Sequence, residues 1–106
     1  MKINNLKNFI RGWFIGDFNP TLLNTKNFEI AVKRYKAGDY EPYHVHKIGT
    51  EYTLIISGEV DMNNIHYQTD DIIVTEPGEY TDFRAITDAV NVVIKVPCIK
   101  GDKYLL

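Results

Sequence analysis

The chain has 106 residues, 44% of them hydrophobic and 25% charged, with a formal net charge of −2; this composition supports one packed core without staples and excludes a disordered chain. Its 12 basic and 14 acidic residues are interleaved, so there is no basic block to neutralise phosphates and no nucleic-acid partner is expected. A single cysteine, Cys98, excludes an internal disulfide and reads as a small buried hydrophobe near a strand end.

The amino end, residues 1–8, is mostly polar and lacks a charged segment leading into an apolar one, and no apolar run is long enough to span a bilayer. A cytoplasmic protein without a membrane partner is the expectation. Residues 9–16 read as a first strand in which Gly12 marks a bulge. Asp17-Phe18-Asn19-Pro20-Thr21 is turn-forming, since Asp and Asn bond to nearby backbone and Pro fixes its own φ. Residues 22–27 carry no clear signal. From Phe28 to Lys36 the pattern alternates, with Phe28, Ile30 and Val32 against Glu29, Ala31 and Lys33, and predicts a strand.

Residues 36–42 turn the chain into a segment holding His44 and His46, which share one face if it is extended. Lys47-Ile48-Gly49-Thr50 connects it to a second strand opened by Glu51, with Thr53 and Ile55 on the Glu51 face. If the two strands pair antiparallel, two imidazole nitrogens and a carboxylate oxygen converge. That is a ligand set for a divalent transition metal ion, with Fe, Mn, Zn and Ni all compatible, and three protein ligands leave coordination positions open.

Beyond Gly58, Asn63-Asn64 tolerates φ > 0 and predicts a tight hairpin between residues 59–62 and 65–68. Residues 72–75, 80–86 and 89–96 complete the strands, with Pro97 closing the last. No stretch has a helical period. Short strands with regular turn signals predict an all-β sandwich or barrel.

Gly38, five residues, His44-x-His46, four residues, Glu51, six residues and Gly58 resemble the first motif of the cupins. The resemblance implies a cupin-like jelly-roll β-barrel forming a single domain over residues 1–106. The core would lie at about 28–97, between an N-terminal strand or arm and a short C-terminal tail. It also implies a barrel-mouth site for a small-molecule ligand and pairing into a homodimer through sheet edges, which the arm or the tail of residues 99–106 would cover. In the family's second motif a Pro-Gly turn leads to a further histidine ligand. Asp71-Ile72-Ile73-Val74, Pro77-Gly78 and Phe83 keep that register here, but the ligand position is Thr81, a poor ligand for a transition ion.

Three functional readings follow. The first is a metal-binding cupin with His44, His46 and Glu51 as ligands and a dioxygenase- or isomerase-like chemistry; if no ion binds, the same side chains must hydrogen-bond one another or water. The second rests on Tyr43-His44-Val45-His46-Lys47 and the flanking 28–35 region, which resemble the small cupins of nucleotide-sugar metabolism. That resemblance implies His44 or His46 as a base, with Tyr35 or Tyr52 as the acid, acting on a keto-sugar without metal. The third is a non-catalytic sensing or binding module. Elsewhere, Lys33 and Lys95 read as solvated-face residues rather than inward anchors for an anion. His66 reads as a surface residue rather than a fourth ligand. Trp13, Tyr35 and Tyr52 read as packing rather than as a sugar-stacking platform, and Asp82 with Arg84 as a surface ion pair.

Overall fold

A computed structural model describes residues 1–106. A 3₁₀ turn, Leu6–Asn8, precedes ten strands: β1 Trp13–Ile15, β2 Glu29–Tyr35, β3 Tyr40–Val45, β4 Thr50–Ser57, β5 Glu59–Met62, β6 Ile65–Gln68, β7 Ile72–Thr75, β8 Tyr80–Ala85, β9 Ala89–Val96 and β10 Tyr104–Leu105. They form two antiparallel five-stranded sheets, ordered β1-β2-β9-β4-β7 and β10-β3-β8-β5-β6. This is the all-β architecture that the strand pattern predicts and the jelly roll that the cupin resemblance implies. No helix is long and apolar enough to cross a membrane.

Turn chemistry sets the connections. Asn63 and Asn64 have φ of 53° and 62°, the left-handed pair that matches the twist of a two-residue hairpin. Arg11 and Gly12 repeat the device, with φ of 51° and 83°, while the Trp13 N–H donates to the Ile10 carbonyl at 3.0 Å. The expectation of a bulged strand over 9–16 is therefore corrected. Gly12 sits in a tight turn, where a Cβ would lie 1.9 Å from the Val32 carbonyl oxygen, and β1 begins only after it.

The inward columns grade from apolar to polar along the barrel. On β4 the order is Ile55, Thr53, Glu51; on β8 it is Ala85, Phe83, Thr81; on β9 it runs from Ala89 through Asn91 and Val93 to Lys95. At one end Ile55, Val60, Met62, Phe83, Ala85 and Ala89 make the buried apolar cluster, with Tyr35, Tyr67 and Ile73 against it. The other end is left to polar side chains, and there the cavity opens. The expected core of residues 28–97 is extended on both sides, because β1 pairs with β2 and β10 pairs with β3. The tail thus covers the β3 edge of its own sheet.

Candidate metal centre and its cavity

Pro42 has no N–H to give the ladder, and the register between β3 and β8 shifts between Glu41 and His44. The Pro42 carbonyl thereby freed accepts the His44 Nδ1–H at 2.9 Å. His46 lies one residue beyond β3, and its Nδ1–H is held by the backbone carbonyl of Asp102. Both rings are buried. With each Nδ1 anchored to a carbonyl, both rings carry the proton there and present Nε2, the arrangement by which outer hydrogen bonds fix the tautomer of a metal-binding histidine. The rings meet edge-on, with centroids 5.4 Å apart and planes at 76°.

Glu51 is the second residue of β4 and lies in one cross-sheet row with Glu29 and Lys95, since Lys95 pairs with Glu29 on one side and Glu51 on the other. Its Oε2 is 2.9 Å from His46 Nε2. The ligand atoms of His44, His46 and Glu51 all lie within 4.8 Å of one another, as expected. The expected antiparallel pairing of their strands is corrected: β3 and β4 belong to different sheets, and the three groups meet across the barrel interior because both segments turn these residues inward. Burial pushes the Glu51 carboxyl up, but a hydrogen bond and positive charge from His46 in its doubly protonated form, with the charges of Lys95 and of His44 in the same form, outweigh it and hold the group below the ordinary carboxylate range. Thr81 pairs with His44 across the strands, and its hydroxyl donates to the Asp82 carbonyl at 2.8 Å.

The cluster forms part of the wall of a cavity of about 630 Å³, shared with Trp13, Glu29, Lys33, Tyr35, Glu41 and Lys95. The solvated-face assignment of Lys33 and Lys95 is thus corrected. On β2 and β9 the inward parity belongs to Glu29, Ala31, Lys33 and Tyr35, and to Ala89, Asn91, Val93 and Lys95. Alternation alone does not show which face is core when the interior is itself polar. Lys95 Nζ lies 2.8 Å from Glu29 Oε1, and the other oxygen of Glu29 accepts from the buried Cys98 thiol at 3.3 Å.

Tyr35 lines the cavity, with its hydroxyl donating to Glu41 Oε1 at 3.0 Å and its ring against Phe83. Burial, reinforced by Glu41, raises its pKa far above the usual phenol value. Tyr52 does not join it. Its side chain shares the outer sheet face with Val74 and Ile94, its cross-strand partners, and is 39% exposed. Tyr52 is one residue out of phase with Glu51, which removes it as an acid for the imidazoles. His66 is exposed beside Asp61 and Glu59, as expected of a surface residue. Asp82 and Arg84 do not pair; both engage Tyr40 instead, Asp82 through the Tyr40 hydroxyl at 3.4 Å and Arg84 over the ring at 4.6 Å.

Asp102, Glu29 and Glu41 complete the surroundings and have no counterpart in the sequence reading. The buried Asp102 carboxylate accepts the N–H groups of Lys47, Ile48 and Gly49. The Gly101-Asp102 turn composition is its only local signal, and the contact spans half the chain.

A two-sheet antiparallel jelly roll, filled by apolar side chains at one end and opening at the other on a cavity, defines a double-stranded β-helix barrel. Comparison with solved structures agrees. An uncharacterized conserved protein with a double-stranded β-helix domain from Klebsiella pneumoniae is 22% identical, with a TM-score of 0.73 over 98% of this chain and 90% of that one. An RmlC-like cupin protein from Desulfovibrio desulfuricans is 24% identical, with a TM-score of 0.68 over 93% and 99% of the two chains. A predicted oxalate decarboxylase from Thermotoga maritima is 20% identical, with a TM-score of 0.61 over 68% of each chain. No protein-family model and no curated protein matches the sequence. The chain has the fold of the small cupins.

Proposed function

We propose that this protein is a metal-binding cupin whose cavity takes a small polar molecule at a divalent transition ion held by His44, His46 and Glu51. The contact between His46 and Glu51 carries this reading. Since His46 gives its Nδ1 proton to the Asp102 carbonyl, a neutral His46 turns an acceptor nitrogen toward an acceptor oxygen 2.9 Å away. Two acceptors at that distance repel unless a cation, either a second imidazole proton or a metal ion, sits between them. His44 Nε2 faces the same space, so the donor set fits an ion rather than a proton alone. A bound ion supplies Lewis-acid polarisation of a coordinated oxygen. The chain's own residues hold both imidazoles in one tautomer, keep the carboxylate ionised beside Lys95 and surround the substrate space with charge. Metal analysis after reconstitution with Fe, Mn, Zn or Ni tests the reading. About one ion per chain is expected in the parent, with loss in His44→Ala and Glu51→Gln; a parent chain that retains no ion overturns it.

A second reading, a metal-independent keto-sugar isomerase or epimerase, is supported by the placement of Tyr35 in the same cavity as both imidazoles. His44 or His46 is then the base and Tyr35 the acid. Thermal shift separates the two, because each reading predicts stabilisation by a different set, divalent ions or nucleotide sugars.

A further inference from the structure

We propose that Lys33 is an anion anchor, and that the molecule entering this cavity is a small carboxylic acid whose carboxylate is held by the Lys33 ammonium. The inference deepens the metal-site reading by naming the substrate class, and it rests on that reading for the inner end of the ligand.

The cavity's cations are not equivalent. Lys95 is neutralised by Glu29 at 2.8 Å, and Lys100 approaches Asp17 at 3.8 Å. Arg11 and Lys103 are exposed at the rim. Lys33 alone is half-buried without a carboxylate partner, its ammonium 5.3 Å from the Trp13 ring centroid. Its cross-strand neighbour is Asn91, which is buried and neutral, with an Oδ1 that has no protein hydrogen-bond partner. Glu41, the strongest source of attraction among the acids, already accepts the Tyr35 hydroxyl.

A half-buried ammonium without a counter-ion is an unmet electrostatic demand, and burial accordingly lowers the Lys33 pKa. A ligand carboxylate meets that demand, while a neutral sugar leaves it open. One compact point charge suits a single carboxylate; a diphosphate calls for the several forked donors that arginines supply.

The test uses the full chain loaded with Zn²⁺ and two matched probes, pyruvate and its neutral methyl ester, with methyl phosphate as a third arm. Calorimetric titration of the parent, Lys33→Met and Lys33→Arg is expected to show pyruvate binding at least about tenfold weaker in Lys33→Met and largely restored in Lys33→Arg. Ester binding is expected to be unchanged by either substitution. Equal pyruvate affinity in parent and Lys33→Met, an ester that binds the parent as tightly as the acid, or a preference for methyl phosphate overturns the proposal. Zn²⁺ content is read separately, and Lys33→Met is expected to load as the parent does. If the parent fails to load, the metal reading fails on its own. The anchor is then judged on the metal-free chain by the NMR signal of the Lys33 side chain, which is expected to move with pyruvate and not with the ester; an unmoved signal overturns it.

Discussion

The Asp102 carboxylate accepts the Gly49 backbone N–H at 2.8 Å, bridging 53 residues of sequence. The same carboxylate takes the Lys47 N–H at 2.9 Å and the Ile48 N–H at 3.1 Å, and the Asp102 backbone carbonyl orients His46. One residue of the tail therefore fixes the whole loop between two of the three proposed ligands. Hydrogen bonds to a buried charge contribute about 1.5–3 kcal/mol, so Asp102→Ala is expected to lower unfolding free energy by roughly that amount in denaturant titration. Metal affinity is expected to fall by up to about tenfold, because the substitution keeps the Asp102 carbonyl but frees the loop and tail that hold it against His46. Burial raises the Asp102 pKa, but the three backbone donors and His46 outweigh it and set it below 3.8. The sign follows: this contribution is complete above 3.8 and is lost as pH falls through the lower folded-state value. An Asp102→Ala chain with parental metal affinity would refute the positioning role.

Thr81 is directly opposite His44, and its hydroxyl is occupied by the Asp82 carbonyl. A histidine there would bring a third imidazole to the same face. Thr81→His is expected to tighten metal binding by at least about tenfold, or about 1.4 kcal/mol, in competition titrations against a chelator. A thermal melt of the metal-free variant reports any overpacking separately. Unchanged affinity in a folded variant would show that the ion is not centred between His44 and Glu51.

Much of this site was legible in sequence because its spacing is local. His44 lies near the end of β3 with His46 just beyond it, and a short connection carries the chain to Glu51 on the facing sheet, so all three come from eight consecutive residues. The strands were legible for the same reason, since alternation and the Asn63-Asn64 pair are local signals. Three things were not. The polar interior inverts the usual use of alternation, so Lys33 and Lys95 point inward although their neighbours Val32 and Ile94 are the apolar ones. The turn at Arg11-Gly12 puts a non-glycine residue at positive φ, which strand composition hides. The Asp102 contact is a matter of tertiary closure, and no pattern within a few residues encodes it.

His66 lies across the β5–β6 ladder from Asp61, 3.0 Å from its carboxylate and 3.1 Å from that of Glu59. Both ring nitrogens donate only when the imidazole is charged, so the hydrogen bonds to Asp61 and then Glu59 raise its pKa above 6.5. The sign is opposite to that of Asp102. Stability from this cluster is complete below 6.5 and is lost as pH rises through the raised folded-state value. NMR titration is expected to show His66 titrating above its ordinary value, and Asp61→Asn to bring it down. A His66 that titrates at the same pH in parent and variant contradicts the assignment.

The outer face of the first sheet is apolar across three strands, with Tyr52, Leu54 and Ile56 on β4, Ile72 and Val74 on the edge strand β7, and Val92, Ile94 and Val96 on β9. Ile72 is 64% exposed and Val74 46%. A contiguous apolar patch at a sheet edge favours association, and we propose that a second copy of the chain covers it in a two-fold dimer. A self-complementary interface needs the same patch on both subunits, which one sheet face supplies. Light scattering is expected to give twice the mass of one chain, and Ile72→Lys combined with Val74→Lys to give a monomer with the parental far-UV spectrum. Each charge points away from the inward residues Ile73 and Thr75, so the barrel itself is expected to survive. A parent chain that runs at the mass of one copy at all accessible concentrations excludes the dimer.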